Sequence, residues 1–240
     1  MSIFQTNRSL IPLRAEQRHS SEMLSQLLYG DSFEVLQKNN SWLQIQTCAD
    51  EYTGWIETEG FQEMESRPTV FITEGLFPIN IASGITHLTF GAHCPEHFLS
   101  EEDKHNFNKW SSANFDHKLD HFKKTFLNAP YLWGGKSVLG IDCSGLTQLF
   151  AAFFKIGIKR DAKQQAMEGN ELSFANIQSG DFAFFNNAEN KITHVGIVLQ
   201  ENKILHASDY VRIDDLKPEG IFRSLDAKMS HKLHSVKRIL

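Results

Sequence analysis

The sequence predicts an α+β protein that opens with a small β-barrel, and three observations carry that expectation. The first 60 residues alternate apolar and polar side chains in short stretches separated by turn signals. After about residue 113, two stretches take up helical spacing instead. Four strand-like runs then follow, and a helix block before a strand block is the α+β pattern.

Taken in order, SLIPLRA, QLLYGDSFEVLQKN, SWLQIQTC and TGWIET read as strands broken at Tyr29-Gly30-Asp31 and Lys38-Asn39-Asn40. Strands this short and closely spaced suit a barrel over residues 1–61. The segment 62–112 begins with a polar joint around Pro68 and adds short strands interrupted at Gly75, Pro78 and Gly84. It reads as a connecting segment or as a truncated second barrel unit. In SEEDKHNFNKW, Ser100 with Asp103 three residues on forms a helix-start pair. From 113 to 240, FDHKLDHFKKTFLN sets Phe115, Leu119, Phe122 and Phe126 on one helical face and ends before Pro130. The glycine-rich YLWGGKSVLGID leads into CSGLTQLFAAFF, an amphipathic helix expected to bury one side. SGDFAFFN, THVGIVLQ, KILHASD and HSVKRIL supply the strand block.

Composition narrows the class. The 240 residues are 41% hydrophobic and 22% charged, an ordinary globular mixture. A net charge of −5 with no basic block argues against a nucleic-acid partner. No run reaches the roughly 20 apolar residues of a membrane helix, and AAFFKIGI is interrupted by Lys155. The opening MSIFQTNRSLIPLRAEQ has no apolar core of export-signal length. The three cysteines, Cys48, Cys94 and Cys143, do not read as a disulfide framework. The expectation is therefore a soluble cytoplasmic protein.

Cys143 carries the candidate chemistry. It falls in the first turn of a helix, where unpaired N–H groups and the positive end of the helix dipole favour a thiolate. His194, Gly196 and Val198 share one face of THVGIVLQ, and Ile204, His206 and Ser208 share one face of KILHASD. A hairpin closing around Gln200-Glu201-Asn202 puts both histidines on the same face if its loop has an odd length. One imidazole could then deprotonate Cys143 while the other orients it.

The series YLWGG, DCSGL, RDA, SGDFAFF, HVGIVL and ILHAS resembles the NlpC-type cell-wall peptidases, papain-like cysteine peptidases of bacteria, over roughly residues 115–240. The front barrel, with TGWIE, resembles the bacterial SH3-like domains that precede them. The resemblance implies Cys143 as nucleophile, His194 as base and His206 as its orienting partner, with no metal or cofactor. Backbone N–H groups at the helix start would hold the oxyanion. The barrel-bearing subgroup resembles enzymes that cut γ-D-glutamyl bonds to diaminopimelate or lysine in murein peptides with a free N-terminal L-alanine. That substrate implies an amine-binding acid, for which Asp142 and Asp161 are the candidates. Ser144 beside the nucleophile and Trp133 as a pocket wall belong to the same implied set. So do Tyr52 and Glu16, at positions that close the amine end in this subgroup. Ala162 stands where the family often has serine.

Competing readings differ in kind. His93, Cys94 and His97 in HCPEH have close spacing for zinc, but a structural site wants four ligands and Pro95 breaks the helix that would align them. A non-catalytic peptidoglycan-binding protein would need none of Cys143, His194 and His206. An amidase or acyltransferase acting on another amide would keep the thiol but not require the acids. For the barrel, wall anchoring is the rival to a lid role.

Overall fold

The computed structural model describes residues 2–63, 67–226 and 228–240. The chain divides into two compact units, 1–125 with 133–138, and 126–132 with 139–240. Among the described residues no helix is long and apolar enough to cross a membrane.

In the first unit a seven-stranded antiparallel sheet curls around Leu13, Leu27, Phe33, Leu43, Ile45 and Ile56. The strands expected from alternation are there: Leu10–Arg14, Met23–Leu28, Ser32–Asn39, Trp42–Thr47 and Thr53–Glu57. Gly30 makes the turn between the second and third of these with φ of 85°, a left-handed value glycine takes without strain. Two strands outside the alternating stretches, Ile3–Thr6 and Phe61–Glu63, pair with each other and extend the sheet. Two-stranded pairs follow, Thr69–Phe71 with His93–Pro95 and Leu76–Ile81 with Gly84–Thr89. Ser100 caps the helix Glu101–Asn108 through the reciprocal bonds with Asp103 that the sequence predicts. The helix Phe115–Phe126 forms as its apolar spacing requires, yet most of it packs in this first unit rather than with the chain that follows: Phe122 meets Phe90, and His121 Nε2 lies 2.8 Å from the Thr73 carbonyl.

The second unit is a helix on a closed antiparallel barrel. Strands Phe182–Asn186, Ile192–Leu199, Lys203–Ser208, Tyr210–Lys217, Gly220–Phe222 and Met229–Arg238 pair in that order, and the last also pairs with the first to close the ring. Ala183, Phe185, Val198, Ile204, Leu216, Ile221 and Val236 form one core cluster. Phe150 on the helix Cys143–Phe153 meets Phe182 on the sheet.

That helix departs from expectation. It is not amphipathic in use, because every residue from Cys143 to Ala151 is buried, including Thr147 and Gln148. The polar side faces a second buried layer instead of water. Thr147 Oγ1 donates to Gln165 Oε1 at 2.7 Å, and Gln148 Nε2 donates to the Ile158 carbonyl at 3.1 Å. Gln165 in turn donates to the carbonyls of Ser144 and Lys159. Buried polar groups rarely persist unbonded, and Thr147 Oγ1, Gln148 Nε2 and Gln165 Nε2 each have a partner.

Candidate active site

Asp142 sits in extended conformation at the N-cap of the helix, and its Oδ1 accepts the Gly145 N–H at 2.6 Å. This fixes Cys143 as the first helical residue. The residue is 7% exposed, and its sulfur accepts backbone N–H bonds from Ser144 and from Val195, the residue after His194. The helix N-terminus and the His194 strand therefore meet at the thiol.

The histidine pair is built by the hairpin. Its turn, Gln200–Asn202, has three residues, the odd length the shared face requires, and Val198 pairs with Ile204. His206 then lies opposite Gly196, where an added Cβ would come 2.9 Å from the His206 Cβ. The missing side chain makes room for the imidazole. His194 Nε2 and His206 Nδ1 are 2.9 Å apart, and His206 Nε2 is 3.1 Å from Asp214 Oδ2. His231 stacks on His194, with ring centroids 4.2 Å apart and planes inclined by 22°.

Charge at rest is set by burial. Burial first, then the Asp142 carboxylate, push the Cys143 thiol up to about 12, against the backbone bonds and Arg160 that favour the thiolate. Burial also holds His194 well below its ordinary value, as do the neighbouring His206, His231 and Arg212. The thiolate expected from the helix N-terminus is therefore overridden, and the resting pair is a neutral thiol beside a neutral imidazole. Iodoacetamide alkylation of Cys143 should accordingly rise about tenfold per pH unit between pH 7 and 9, following the thiolate fraction. A rate already level at pH 7 would contradict the neutral pair.

Asp142 does not have the form expected of an amine receptor. It is 6% exposed, and Arg160, itself 1% exposed, donates to it twice, from Nη1 to Oδ1 at 3.0 Å and from Nη2 to Oδ2 at 2.6 Å. With the Gly145 N–H, both oxygens are engaged inside the protein. Ser144 is likewise taken up: its hydroxyl accepts from Arg160 Nη1 at 2.7 Å and donates to Asp142 Oδ1 at 3.3 Å. Both residues support the helix start through these bonds, so the free, open carboxylate expected at position 142 is replaced by one already paired with Arg160. Asp161, beside Arg160 in the chain, caps the short helix Ala162–Gln165 with its side chain 34% exposed.

The other expected residues lie in the first unit. Glu16 accepts a bond from Arg18 Nε at 2.8 Å and is exposed. Tyr52 packs against the first barrel's core, and its N–H donates to Thr47 Oγ1 at 2.8 Å. Trp133 is 59% exposed, and its Nε1–H donates to Glu22 Oε1 at 2.8 Å.

Four residues at the second unit's site went unassigned by sequence reasoning: Arg160, Asp214, His231 and Tyr131. Tyr131 lies close enough to Cys143 and Asp142 for their charges, after burial, to push its phenol upward. A phenol is protonated at neutral pH, and its O–H is the kind of donor a developing oxyanion calls for. YLWGG and RDA mark their stretches in the sequence, but nothing in them singles out the tyrosine or the arginine.

His194, His206 and His231 each bring a nitrogen within 4.8 Å of the others, the one such group among the described residues. Imidazole lone pairs lie in the ring plane, so the nearly parallel rings of His194 and His231 cannot both aim at one ion. HCPEH fares no better. Cys94 is buried with its thiol pushed up to about 12, while His93 packs on Phe71 and His97 on Phe98.

The NlpC/P60 family matches residues 128–230, and the bacterial dipeptidyl-peptidase Sh3 domain matches residues 13–61. The chain is 40% identical over 84 residues to a gamma-D-glutamyl-L-lysine dipeptidyl-peptidase of Bacillus subtilis (strain 168), covering 34% of this chain and 28% of that protein. A protein of the same name from Bacillus cereus (strain ATCC 10987 / NRS 248) is 32% identical over 97 residues, 40% of this chain and 29% of the relative. The match thus spans under a third of the length of both. Dipeptidyl-peptidase 6 of Lysinibacillus sphaericus is 26% identical over 239 residues, 82% of this chain and 84% of the relative. A crystal structure of an NlpC/P60 family protein from Bacillus cereus ATCC 10987 superposes with a TM-score of 0.83 at 18% identity over all of both chains, a likeness of fold.

Proposed function

Because the chain joins an NlpC/P60 peptidase-family domain to a bacterial dipeptidyl-peptidase Sh3 domain, we propose that it is a cysteine peptidase of murein peptides. It cuts the γ-D-glutamyl bond to lysine or diaminopimelate in peptides with a free N-terminal L-alanine. The observation that carries this reading is the line Cys143, His194, His206, with the thiol at a helix N-terminus and the imidazoles joined at 2.9 Å. Names of relatives that cut γ-D-glutamyl-L-lysine bonds support the substrate class.

In the reaction, His194 takes the thiol proton as sulfur attacks the γ-carbonyl carbon, since the resting pair is neutral. The tetrahedral oxyanion draws on the Tyr131 hydroxyl and on amides at the helix start. The same imidazolium then protonates the leaving amine, and water hydrolyses the thioester. Asp161 is the amine partner in this reading, supported by its partial exposure where Asp142 is buried. Such a substrate fits a role in recycling wall peptides within the cytoplasm.

The test is hydrolysis of L-Ala-γ-D-Glu-L-Lys and its diaminopimelate counterpart, each with and without an N-acetyl group. Cleavage of the free amines and at least about tenfold poorer kcat/KM for the acetylated forms is expected, the loss of one charge-assisted bond. Equal cleavage of both forms would remove amine recognition from the reading.

A further inference from the structure

We propose that Asp214 is a positioning residue that directs the protons of the histidine pair, leaving Nδ1 of His194 bare as the base for Cys143. The proposal rests on the cysteine-peptidase reading.

Asp214 and Asp215 are consecutive, yet the strand's alternation sends them to opposite faces. Asp215 pairs with Lys203 at the surface, while Asp214 is 3% exposed and reaches the histidines. Its carboxylate is held from three sides. Oδ1 accepts the Ser224 N–H at 3.0 Å, and Oδ2 accepts Arg212 Nε–H at 2.9 Å and faces His206 Nε2 at 3.1 Å. Arg212 is anchored in turn by Asp209 Oδ2 at 3.1 Å. The sheet register sets this up, with Arg212 opposite His206 and Asp214 two residues on along the same face.

The protons follow from this arrangement by elimination. An ionised carboxylate can only accept, so the His206 nitrogen facing it carries the hydrogen. A neutral imidazole has one N–H, which leaves His206 Nδ1 with a bare lone pair. That lone pair lies 2.9 Å from His194 Nε2, and two bare nitrogens would repel at that distance. His194 Nε2 is therefore the donor, and its single proton is accounted for. Nδ1 of His194 is then the open base. When it accepts the thiol proton, the new charge is shared along Nε2–H···Nδ1 toward the carboxylate, and no proton need leave the chain.

Asp214→Asn reverses the direction. A carboxamide that keeps its oxygen on the Ser224 N–H gives up the Arg212 Nε–H bond and turns its NH2 toward His206 Nε2, which moves the His206 proton to Nδ1 and the His194 proton to Nδ1, blocking the base. Loss of the orienting carboxylate in a serine-protease triad costs about 10⁴-fold in kcat by this route. Here kcat on L-Ala-γ-D-Glu-L-Lys is expected to fall about 10²–10⁴-fold, with KM within about threefold. Asp214→Glu should recover most of the loss, and Asp215→Asn should match wild type. The readout that a merely structural residue would not move is 15N NMR of histidine-labelled protein near pH 7. Wild type should show both His194 and His206 protonated on Nε2, and Asp214→Asn should move the His194 proton to Nδ1. A wild-type His194 carrying its proton on Nδ1 would overturn the proposal, as would a folded Asp214→Asn with kcat within threefold of wild type. Should wild type leave the peptide uncut, the substrate reading falls, and the NMR tautomers still decide the role of Asp214.

Discussion

Cys143→Ala is expected to abolish hydrolysis of the γ-D-glutamyl peptides, lowering kcat by at least about 10⁴-fold. A covalent route cannot run without its nucleophile, and removal of a nucleophile from other acyl-transfer sites costs about 10⁶-fold in kcat. The helix start should survive the change, because the Asp142 cap and its Gly145 bond do not involve the sulfur. The loss should therefore appear in kcat with an unchanged far-UV spectrum. The check is chromatographic quantification of released L-Ala-D-Glu under single-turnover conditions. Cys143→Ser separates nucleophile from shape, since a hydroxyl in the same place lacks the thiol's nucleophilicity and should be equally dead. Retention of more than about one part in a hundred of the wild-type rate would sink the nucleophile assignment.

How much of this was legible beforehand depends on the range of the interaction. Alternation and helical spacing are local, and they gave five strands of the first barrel and both long helices. The His194–His206 pairing was also within reach, because a hairpin turns loop length into face assignment and its loop proved to have three residues. Strand Tyr210–Lys217 was not legible, since VRIDDLK carries two adjacent acids that look like a polar loop until one of them is seen buried. The use of Asp142 was not legible either. An acid beside a cysteine reads equally as a cap, an ion-pair partner or a substrate contact, and the deciding group, Arg160, lies 18 residues away. The thiolate failed for a related reason. The helix dipole is visible in sequence, but the depth of burial that outweighs it is a property of the assembled site.

Arg160 supplies the largest expected effect on stability. With 2% side-chain exposure against 8% for Asp142, this is a buried ion pair, and Arg160 also bonds Ser144. Breaking such a pair from one side strands the other charge, at a cost of about 3–5 kcal/mol. Arg160→Met keeps the aliphatic bulk but leaves Asp142 buried and uncompensated, so a loss of that size is expected. Asp142→Asn should cost less than Asp142→Ala, because an amide oxygen can still accept the Gly145 N–H. Combining Arg160→Met with Asp142→Asn should be milder than the two single losses added together, since no stranded charge remains. All four tryptophans, Trp42, Trp55, Trp110 and Trp133, belong to the first unit, so their fluorescence reports the second unit only indirectly. Hydrogen exchange of the amides in the helix Cys143–Phe153 reads it directly. The same variants separate two uses of Asp142. A substrate carboxylate would answer in KM with exchange unchanged, whereas a buried partner of Arg160 should answer in exchange before any kinetic constant is measured.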